Sequence, residues 1–549
     1  MRQLLLFIVL LLSASAVRAQ QGAAVQQHLI YFTDKEGSPF SISQPLAFLS
    51  PKALERRQHQ RIQLTHRDLP VNPAYVTGLK QQGVEVRYTS RWFNAALVQC
   101  NDAELAQLAN LPFVKRTYTL HRETPRTQLQ AVTRQEEKMA LTLQAPAPVS
   151  AEAYGAAFHQ ANMLGAVELH QAGFRGEGMT IAVLDAGFPG VDTIAAFSHL
   201  FQDQQLKGTY DFVQKDSHVF GANAHGTAVL STIAAYAPGK MIGTAYAANF
   251  LLLRTEDAAT EHHIEEINWL LAAEYADSAG ADVISSSLGY TVFDAPAASY
   301  TYSDMDGNTA LVSKAADMAA ATGMLVVVSA GNEGSSSWHY ISAPADADSV
   351  LTVGAVDSLG AKAAFSSFGP TADGRTKPDV VALGAKAYVL NTAGQVRQGS
   401  GTSFAGPIMA GFATCLWQVR PAITNYRLIQ LLHELGSNAA SPDSAIGYGI
   451  PTYAHLITAL PELNSLGTAA ITNPVLQDEI VLSLGTAWGQ QPVVLHVYDT
   501  TGKIVHQEQL EPNRSRHELR LQGSQLKRGV YICRLQSAKQ SATLRFVKL

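Results

Sequence analysis

The sequence predicts an α/β protein whose main part, residues 154–465, is a three-layer domain built on a parallel sheet. Two observations carry this prediction. Short β-branched runs, such as MTIAVLD, GMLVVVS and SVLTVGAV, are typical of strands that are buried on both faces. Stretches of helical spacing, such as HGTAVLSTIAAY and TALVSKAADMAAAT, separate these runs and indicate right-handed crossovers between parallel strands.

Composition and charge narrow the range of functions. Hydrophobic residues make up 47% of the 549 residues and charged residues 15%, so the chain can bury a large core. The net charge of -5 provides no basic surface for phosphate backbones, and no nucleic acid partner is expected. The three cysteines, Cys100, Cys415 and Cys533, are far apart and odd in number, so they predict neither a disulfide framework nor a metal site.

Residues 1–19 have the pattern of a secretory signal peptide. Arg2 precedes an apolar run over residues 4–12, and small residues lead to a cleavage site after Ala19. The alternative, a membrane anchor, is disfavoured because the run is too short to span a bilayer. No later stretch is long and apolar enough either, so we expect no transmembrane segment after signal cleavage.

Two smaller regions flank the main domain. Residues 20–120 alternate strand-like and helical runs, beginning with HLIYFT and SPKALERRQ, and predict a small α/β domain. Residues 121–153 mix charge, Gln, Pro and Ala without periodicity, which is typical of a linker where proteolysis concentrates. Residues 470–549 alternate short strands and turns, which predicts a β-sandwich.

Four residues of the main domain have the chemistry of acyl transfer. Asp185 follows the strand TIAVL, His225 opens a helical run, and Ser403 begins another within GTSFAGP. A serine hydroxyl becomes a nucleophile when an imidazole takes its proton and a carboxylate orients that imidazole. Asn332, in the glycine-rich loop SAGNEG, offers a side-chain amide that can stabilise an oxyanion.

The segments IAVLDAG, AHGTAVL, SAGNEG and GTSFAGP, in this order, resemble the four signature segments of subtilisin-like serine peptidases. The resemblance covers residues 154 to 460 and implies a secreted serine endopeptidase with a subtilisin-like catalytic domain. It implies that Ser403 is the nucleophile, His225 the general base and acid, and Asp185 its orienting partner. Asn332 and the backbone N–H of Ser403 would form the oxyanion hole. The chain lacks the family's His-Pro-Asp-Leu stretch after LDAGF, so a different loop is expected there.

The same resemblance implies the substrate contacts. The stretch SSLG would pair with the extended substrate backbone, and SAG would wall the pocket for the side chain before the scissile bond. These stretches comprise Ser286, Ser287, Leu288, Gly289, Ser329, Ala330 and Gly331. The chemistry requires no cofactor. Structural calcium is frequent in the family, but the sequence does not indicate which residues would bind it.

The resemblance also gives the flanking regions a role. Residues 20–120 resemble the inhibitory propeptides of these enzymes, which implies a zymogen that cuts itself within the linker. Residues 470–549, with NPVLQDEIVLSL and VYDTTGKIV, resemble the sorting domain of the type IX secretion system of Bacteroidota. The implied route is Sec export to the periplasm and type IX export to the cell surface or medium. The implied partners are protein or peptide substrates, the propeptide itself and the secretion machinery.

Some of these residues also fit other interpretations. Ser403 alone would be an ordinary helix N-cap, and an α/β-hydrolase would show Gly-x-Ser-x-Gly and the order Ser, Asp, His. His262, His263, Glu265 and Glu266 lack the His-Glu-x-x-His spacing of zinc peptidases and predict a solvated helix face instead. Two alternative functions stay open. One is an inactive, peptide-binding relative, and the other is an adhesin whose C-terminal sandwich carries the function.

Overall fold

The computed structural model describes residues 25–122 and 151–453, together with short segments between residues 469 and 548. Residues up to 434, with 438–450, form one compact unit, and residues 435–437 with those after 450 form a second. The predicted signal peptide, residues 1–19, and linker residues 123–150 lie outside the described residues.

The N-terminal region of the first unit is a small α/β domain. Its four-stranded antiparallel sheet has the order Glu85–Ser90, Ala95–Cys100, Gln26–Phe32, Val114–Arg122. Its helices span Pro51–His59, Pro73–Gln81 and Asp102–Leu108, and each begins at a polar residue whose side chain accepts a backbone N–H. The predicted α/β character of this region is confirmed.

Alternate residues of the first strand pack in opposite directions. Ile30 and Phe32 belong to the small domain's own core, which also contains Leu79 and Val98. Leu29 and Tyr31 point to the other face of the sheet and join the core of the main domain. The sheet therefore buries its second face only when the main domain is present.

The main domain is built on a sheet of seven parallel strands. Across the sheet the order is Val380–Leu383, Leu351–Val356, Leu325–Ser329, Val283–Ser286, Thr180–Asp185, Asn249–Arg254, Leu206–Asp211. Helices His263–Ala279 and Leu311–Ala321 pack against each other, and helices His225–Ala234 and Thr402–Val419 form a separate packed pair. This arrangement confirms the predicted parallel-sheet α/β fold.

Shorter elements complete the first unit. The further helices span Ala151–Tyr154, Phe158–Asn162, Ala166–Gln171, Ser198–Gln202 and Asn425–Glu434. Two antiparallel pairs join Tyr236–Ala237 to Met241–Ile242 and Ala387–Leu390 to Val396–Gly399. Single 3-10 turns occupy Pro45–Ala47, His66–Asp68, Ala195–Phe197 and Tyr302–Asp304.

The second unit consists of antiparallel sheets. Three strands have the order Ala469–Ile471, Ile480–Leu484, His517–Leu519, and four have the order Ile504–Leu510, Val493–Tyr498, Gly529–Gln536, Ser541–Lys548. Along Val493–Tyr498 buried and half-buried residues alternate, as expected for a strand with one face packed. Two antiparallel sheets are consistent with the predicted β-sandwich.

Two further sequence predictions concern the cysteines and membrane-spanning helices. Cys100, Cys415 and Cys533 are buried free thiols, in agreement with the prediction of no disulfide framework. Among the described residues, no helix has the length and apolar character needed to cross a membrane.

The prediction of a solvated face for the histidine and glutamate residues of helix His263–Ala279 is wrong. His263, Glu265 and Glu266 are buried. The Glu265 carboxylate accepts the backbone N–H groups of Asp257 (3.0 Å) and His262 (2.8 Å). The Glu266 carboxylate accepts hydrogen bonds from the His263 ring (2.6 Å), the Tyr300 hydroxyl (2.9 Å) and the backbone N–H of Val312 (3.1 Å). Polar groups can be buried here because each has a partner.

One glycine shows how closely helix Thr402–Val419 packs against the turn that contains Thr244. A methyl group at Gly411, within helix Thr402–Val419, would lie 2.0 Å from Oγ1 of Thr244. We expect Gly411→Ala to lower the free energy of unfolding by about 1–3 kcal/mol through overpacking, although alanine normally favours a helix. Thermal unfolding measures this effect. The matched control is Gly406→Ala on the same helix, where the nearest atom is 3.6 Å away and little change is expected. Equal melting temperatures for the two variants would contradict the packing interpretation.

Candidate active site

Asp185 ends a central strand of the sheet and is buried. Its carboxylate Oδ1 accepts the backbone N–H of Ala186 at 2.8 Å, and its carbonyl oxygen accepts the N–H of Thr255 at 3.0 Å. The carboxylate thus lies at the carboxyl edge of a parallel sheet, where ligands of such folds bind.

His225 begins helix His225–Ala234 and faces this carboxylate. Its ring Nδ1 lies 2.8 Å from Oδ1 and 3.1 Å from Oδ2 of Asp185. The charge of Asp185 raises the pKa of His225, outweighing the opposing effect of burial. When Nδ1–H donates to Asp185, Nε2 of the neutral ring has a free lone pair that can accept a proton.

Gly226 allows the histidine to approach the carboxylate. A methyl group at this position would lie 2.3 Å from the carbonyl oxygen of Gly187 and 3.0 Å from Cβ of Asp185. Only a residue without a side chain fits so close to both segments. The glycine after the histidine is therefore required by the packing of the site.

Ser403 lies in the first turn of helix Thr402–Val419 and is 8% exposed. The ring of the next residue, Phe404, has its centroid 6.2 Å from that of His225. Pro407 lies within this helix and has no N–H to donate to the Ser403 carbonyl four residues earlier. The Ser287 hydroxyl donates to that carbonyl instead, at 2.9 Å. Ser287 therefore helps to hold the helix start that carries Ser403.

Asn332 follows the strand Leu325–Ser329, and its side-chain orientation is set by Thr402. Both the backbone N–H (2.8 Å) and the hydroxyl (3.0 Å) of Thr402 donate to Oδ1 of Asn332. Because Oδ1 accepts both of these bonds, Nδ2 of Asn332 faces away from Thr402. A methyl group at Gly401 would lie 2.8 Å from Oγ of Ser403 and 3.8 Å from Nδ2 of Asn332, so both polar atoms border the same glycine.

Thr402 was missed by reasoning from the sequence. Its hydroxyl accepts the N–H of Gly331 at 3.2 Å while it donates to Asn332, so it joins the asparagine loop to the serine helix. The available signal was a hydroxyl residue directly before Ser403 in GTSFAGP. Its partners lie some 70 positions away, and the sequence does not show that they meet.

The predicted substrate-binding residues are the last residues of two adjacent strands, Val283–Ser286 and Leu325–Ser329, and the residues directly after them. The Ser286 hydroxyl accepts the indole N–H of Trp269 at 2.9 Å and is buried, so it supports the strand. Ser287, Ser329 and Ala330 are buried as well, whereas Leu288 and Gly331 are half-buried and Gly289 is exposed. Their contacts with substrate stay predictions.

Three carboxyls form a group that includes Glu256, whose charge acts on His225. Oxygen atoms of Glu256, Glu261 and Glu265 lie within 4.8 Å of one another, and among the described residues this group has spacing suited to a cation. Burial raises the pKa of Glu256 to about 7 and that of Glu261 to about 8, which favours protonated carboxyls. The hydroxyl of Tyr290 donates to Glu256 at 2.6 Å. The expectation about structural calcium stays open.

The parallel-sheet domain holds a histidine against a buried carboxylate at the edge of the sheet where ligands of such folds bind, and the helix that carries Ser403 begins beside that histidine. Comparison with known proteins gives the family. Residues 176–449 match the Subtilase family, residues 27–137 the Peptidase S8 propeptide domain of Bacteroidota, and residues 473–549 a Secretion system C-terminal sorting domain.

Individual relatives are similar across the main domain. The chain is 30% identical to subtilisin DY of Bacillus licheniformis over 289 residues, which is 52% of this chain and 93% of that protein. It is 31% identical to subtilisin E of Bacillus subtilis over 51% of this chain and 65% of that protein. It is 30% identical to the serine protease AprX of Bacillus subtilis over 47% of this chain and 61% of that protein. The chain belongs to the subtilase family.

This membership settles the broad function. The protein is a serine endopeptidase that carries a propeptide, and its C-terminal sorting domain directs it across the outer membrane. The C-terminal region therefore matches a sorting function, which disfavours the adhesin alternative. The domain boundaries and the roles of single residues stay predictions.

Thr402 donates two hydrogen bonds to Asn332, and removal of the one from its hydroxyl should lower activity. We expect Thr402→Val to lower kcat about tenfold with little change in KM, because one hydrogen bond that orients Asn332 is lost. Steady-state kinetics on a peptide substrate measure both constants. Thr402→Ser keeps the hydroxyl and serves as the control. Wild-type kcat in the valine variant would show that the backbone N–H alone orients the amide.

Proposed function

We propose that the protein hydrolyses peptide bonds through a triad of Asp185, His225 and Ser403, with an acyl-enzyme intermediate, and is made as a self-processing zymogen. The observation that carries the proposal is the hydrogen bond of 2.8 Å between His225 and a buried Asp185. The packing of Phe404 against His225 supports it, since it brings the start of the serine helix to the imidazole.

The first half of the reaction forms the acyl-enzyme. Ser403 Oγ attacks the carbonyl carbon of the scissile bond while Nε2 of His225 takes the hydroxyl proton. The imidazolium that forms is stabilised by the charge of Asp185, which also holds its ring in place. His225 then gives its proton to the leaving amine. In the second half, water takes the place of the serine hydroxyl, and the same residues act again to release the new carboxylate.

Negative charge develops on the carbonyl oxygen when Ser403 attacks, and two hydrogen-bond donors stabilise it. One is the backbone N–H of Ser403 in the first turn of its helix, where N–H groups have no intrahelical partner. The other is Nδ2 of Asn332, oriented by Thr402. Loss of one such donor costs about 10² to 10³ in kcat, a range known from subtilisin itself.

Substrates of this mechanism are proteins or peptides that bind in extended form beside residues 286–289 and 329–331. The small domain preceding the linker packs on the main domain through a shared core that includes Tyr31, Leu120 and Leu270. This packing supports a role as an intramolecular inhibitor before the linker is cut. Transfer across the outer membrane by the secretion machinery would follow from the C-terminal match.

Replacing the nucleophile tests both hydrolysis and self-processing. We expect Ser403→Ala to reduce peptide hydrolysis to background and to leave the propeptide attached, because no acyl-enzyme can form. A fluorophosphonate probe should label the wild type and leave the variant unlabelled. Normal trimming of the variant would mean that another protease cuts the linker. An unlabelled wild type freed of its propeptide would favour the inactive, peptide-binding alternative.

The raised pKa of His225 determines the acid limb of the activity profile. Only the neutral imidazole can accept the serine proton, so kcat/KM should fall as the pH drops through the pKa of His225. We expect the midpoint above the ordinary histidine value of 6.5, because the charge of Asp185 favours the protonated ring. Asp185→Asn should shift the midpoint to lower pH while reducing kcat about 10⁴-fold. A midpoint that is the same in both proteins would contradict the assigned pair.

Removal of the C-terminal region separates catalysis from export. We expect a chain without residues 470–549 to retain peptidase activity, since the triad lies in the other unit, and to remain inside the outer membrane. Cell fractionation with an activity assay measures both outcomes. Appearance of the shortened chain in the medium would show that export does not depend on this domain.

A further inference from the structure

A cluster of propeptide arginines meets one carboxylate of the catalytic domain. The side chains of Arg56 and Arg57, on helix Pro51–His59, and of Arg91 all bond to Asp277. Arg56 binds one carboxylate oxygen, while Arg57 (2.8 Å) and Arg91 (2.5 Å) bind the other. The side chain of Asp277 is 0% exposed and those of the arginines are at most 9% exposed, so the cluster is removed from water.

The cluster lies away from the catalytic edge. Asp277 is in the last turn of helix His263–Ala279, and Asp282, shortly after that helix, accepts the N–H of Thr180 at 2.8 Å. Thr180 is the first residue of the strand that ends at Asp185. The arginines therefore bind at the amino edge of the sheet, opposite the edge that carries Asp185.

Arg56, on the same propeptide helix, and Gln60, directly after it, also bond to the backbone that follows two catalytic-domain helices. Arg56 donates to the carbonyl oxygens of Ala281 and of Thr322, the latter at 3.2 Å, and Gln60 donates to that of Gly323 at 2.6 Å. These carbonyls belong to residues just after helices His263–Ala279 and Leu311–Ala321, near the negative end of each helix dipole. Cationic and amide donors suit this surface.

A second buried carboxylate completes the contact. Glu274 accepts the Ser90 hydroxyl at 2.5 Å and the backbone N–H groups of Arg91 (3.0 Å) and Trp92 (3.1 Å). One turn of helix thus presents two carboxylates, Glu274 and Asp277, and propeptide donors bond to both. Burial alone would raise the pKa of Asp277, but the charges of Arg56 and Arg91 outweigh it and hold the pKa below its usual range.

We propose that Asp277 is the retention point of the propeptide: once the linker is cut, its contacts with Arg56, Arg57 and Arg91 keep the propeptide bound as a separate inhibitory subunit. The proposal rests on the proposed function, because it concerns the release of the inhibitor from that site. The three arginines offset the cost of burying the Asp277 charge, whereas removal of that carboxylate leaves buried guanidinium charges without water or a partner. Asp277 therefore controls release without contacting substrate.

The test measures release in a chain that cannot cut itself. The full chain with Ser403→Ala carries a site-specific protease sequence inserted among residues 123–150. After cutting by that protease, the dissociation rate of the propeptide is followed by size-exclusion chromatography at successive times. We expect Asp277→Asn to release the propeptide about a hundredfold faster or more than the parent chain. Glu168→Gln, which makes the same carboxylate-to-amide change at an exposed position of the catalytic domain, should release at the parent rate.

A second variant keeps the test valid if Asp277→Asn does not fold. Arg91→Gln changes only the propeptide and leaves the catalytic domain intact, and it should also accelerate release, with circular dichroism confirming the fold. If Asp277→Asn released the propeptide at the rate of the parent chain, the proposal would be overturned. If Asp277→Asn does not fold, a parent rate of release for Arg91→Gln would overturn it. If the proposed function were wrong, a chain with an intact Ser403 would stay uncut and would not be labelled by a fluorophosphonate. That result would leave the measurement of propeptide release valid.

Discussion

The burial of a seven-stranded parallel sheet is the constraint on which the rest of the molecule depends. Both faces of such a sheet must be covered, so helices cross between the strands and every strand runs in the same direction. The carboxyl ends of the strands then meet at one edge. Asp185, Ser286 and Ser329 each end a strand, and this rule brings them together although the chain separates them widely.

Buried carboxylates divide the domain into regions of different chemistry. Asp185 faces an imidazole, and its charge raises the pKa of His225. Asp277 faces three guanidinium groups, which hold its pKa low, whereas burial raises the pKa of Glu256 to about 7 despite its hydroxyl partners. The balance between burial and the charge of the nearest partner sets the pKa of each carboxyl.

The N-terminal domain depends on the catalytic domain for its second apolar face. Ile30 and Phe32 fill its own core, but Leu29 and Tyr31 are covered by the helices of its neighbour. A four-stranded sheet with one face unpaired would expose these side chains to water. Apolar packing thus joins the two domains broadly, and the ion cluster at Asp277 adds buried ionic contacts between them.

The sequence by itself determined the order of the segments and the residue types of the site. Strands with β-branched runs and the short motifs around Asp185, His225, Asn332 and Ser403 are local patterns, so they are visible without coordinates. The sequence also predicted the parallel α/β fold, because that fold follows from alternating strands and helices. The prediction of a solvated helix face for His263, Glu265 and Glu266 was wrong, because the partners that allow these polar side chains to be buried include residues from other parts of the chain.

Only the tertiary structure decided the contacts between distant segments. It showed that Thr402 orients Asn332, that Ser287 bonds the carbonyl left without a donor by Pro407, and that three arginines converge on Asp277. Each contact joins residues tens to hundreds of positions apart. A hydrogen bond depends on distances of about 3 Å, and such distances arise from packing, which no local pattern in the chain records.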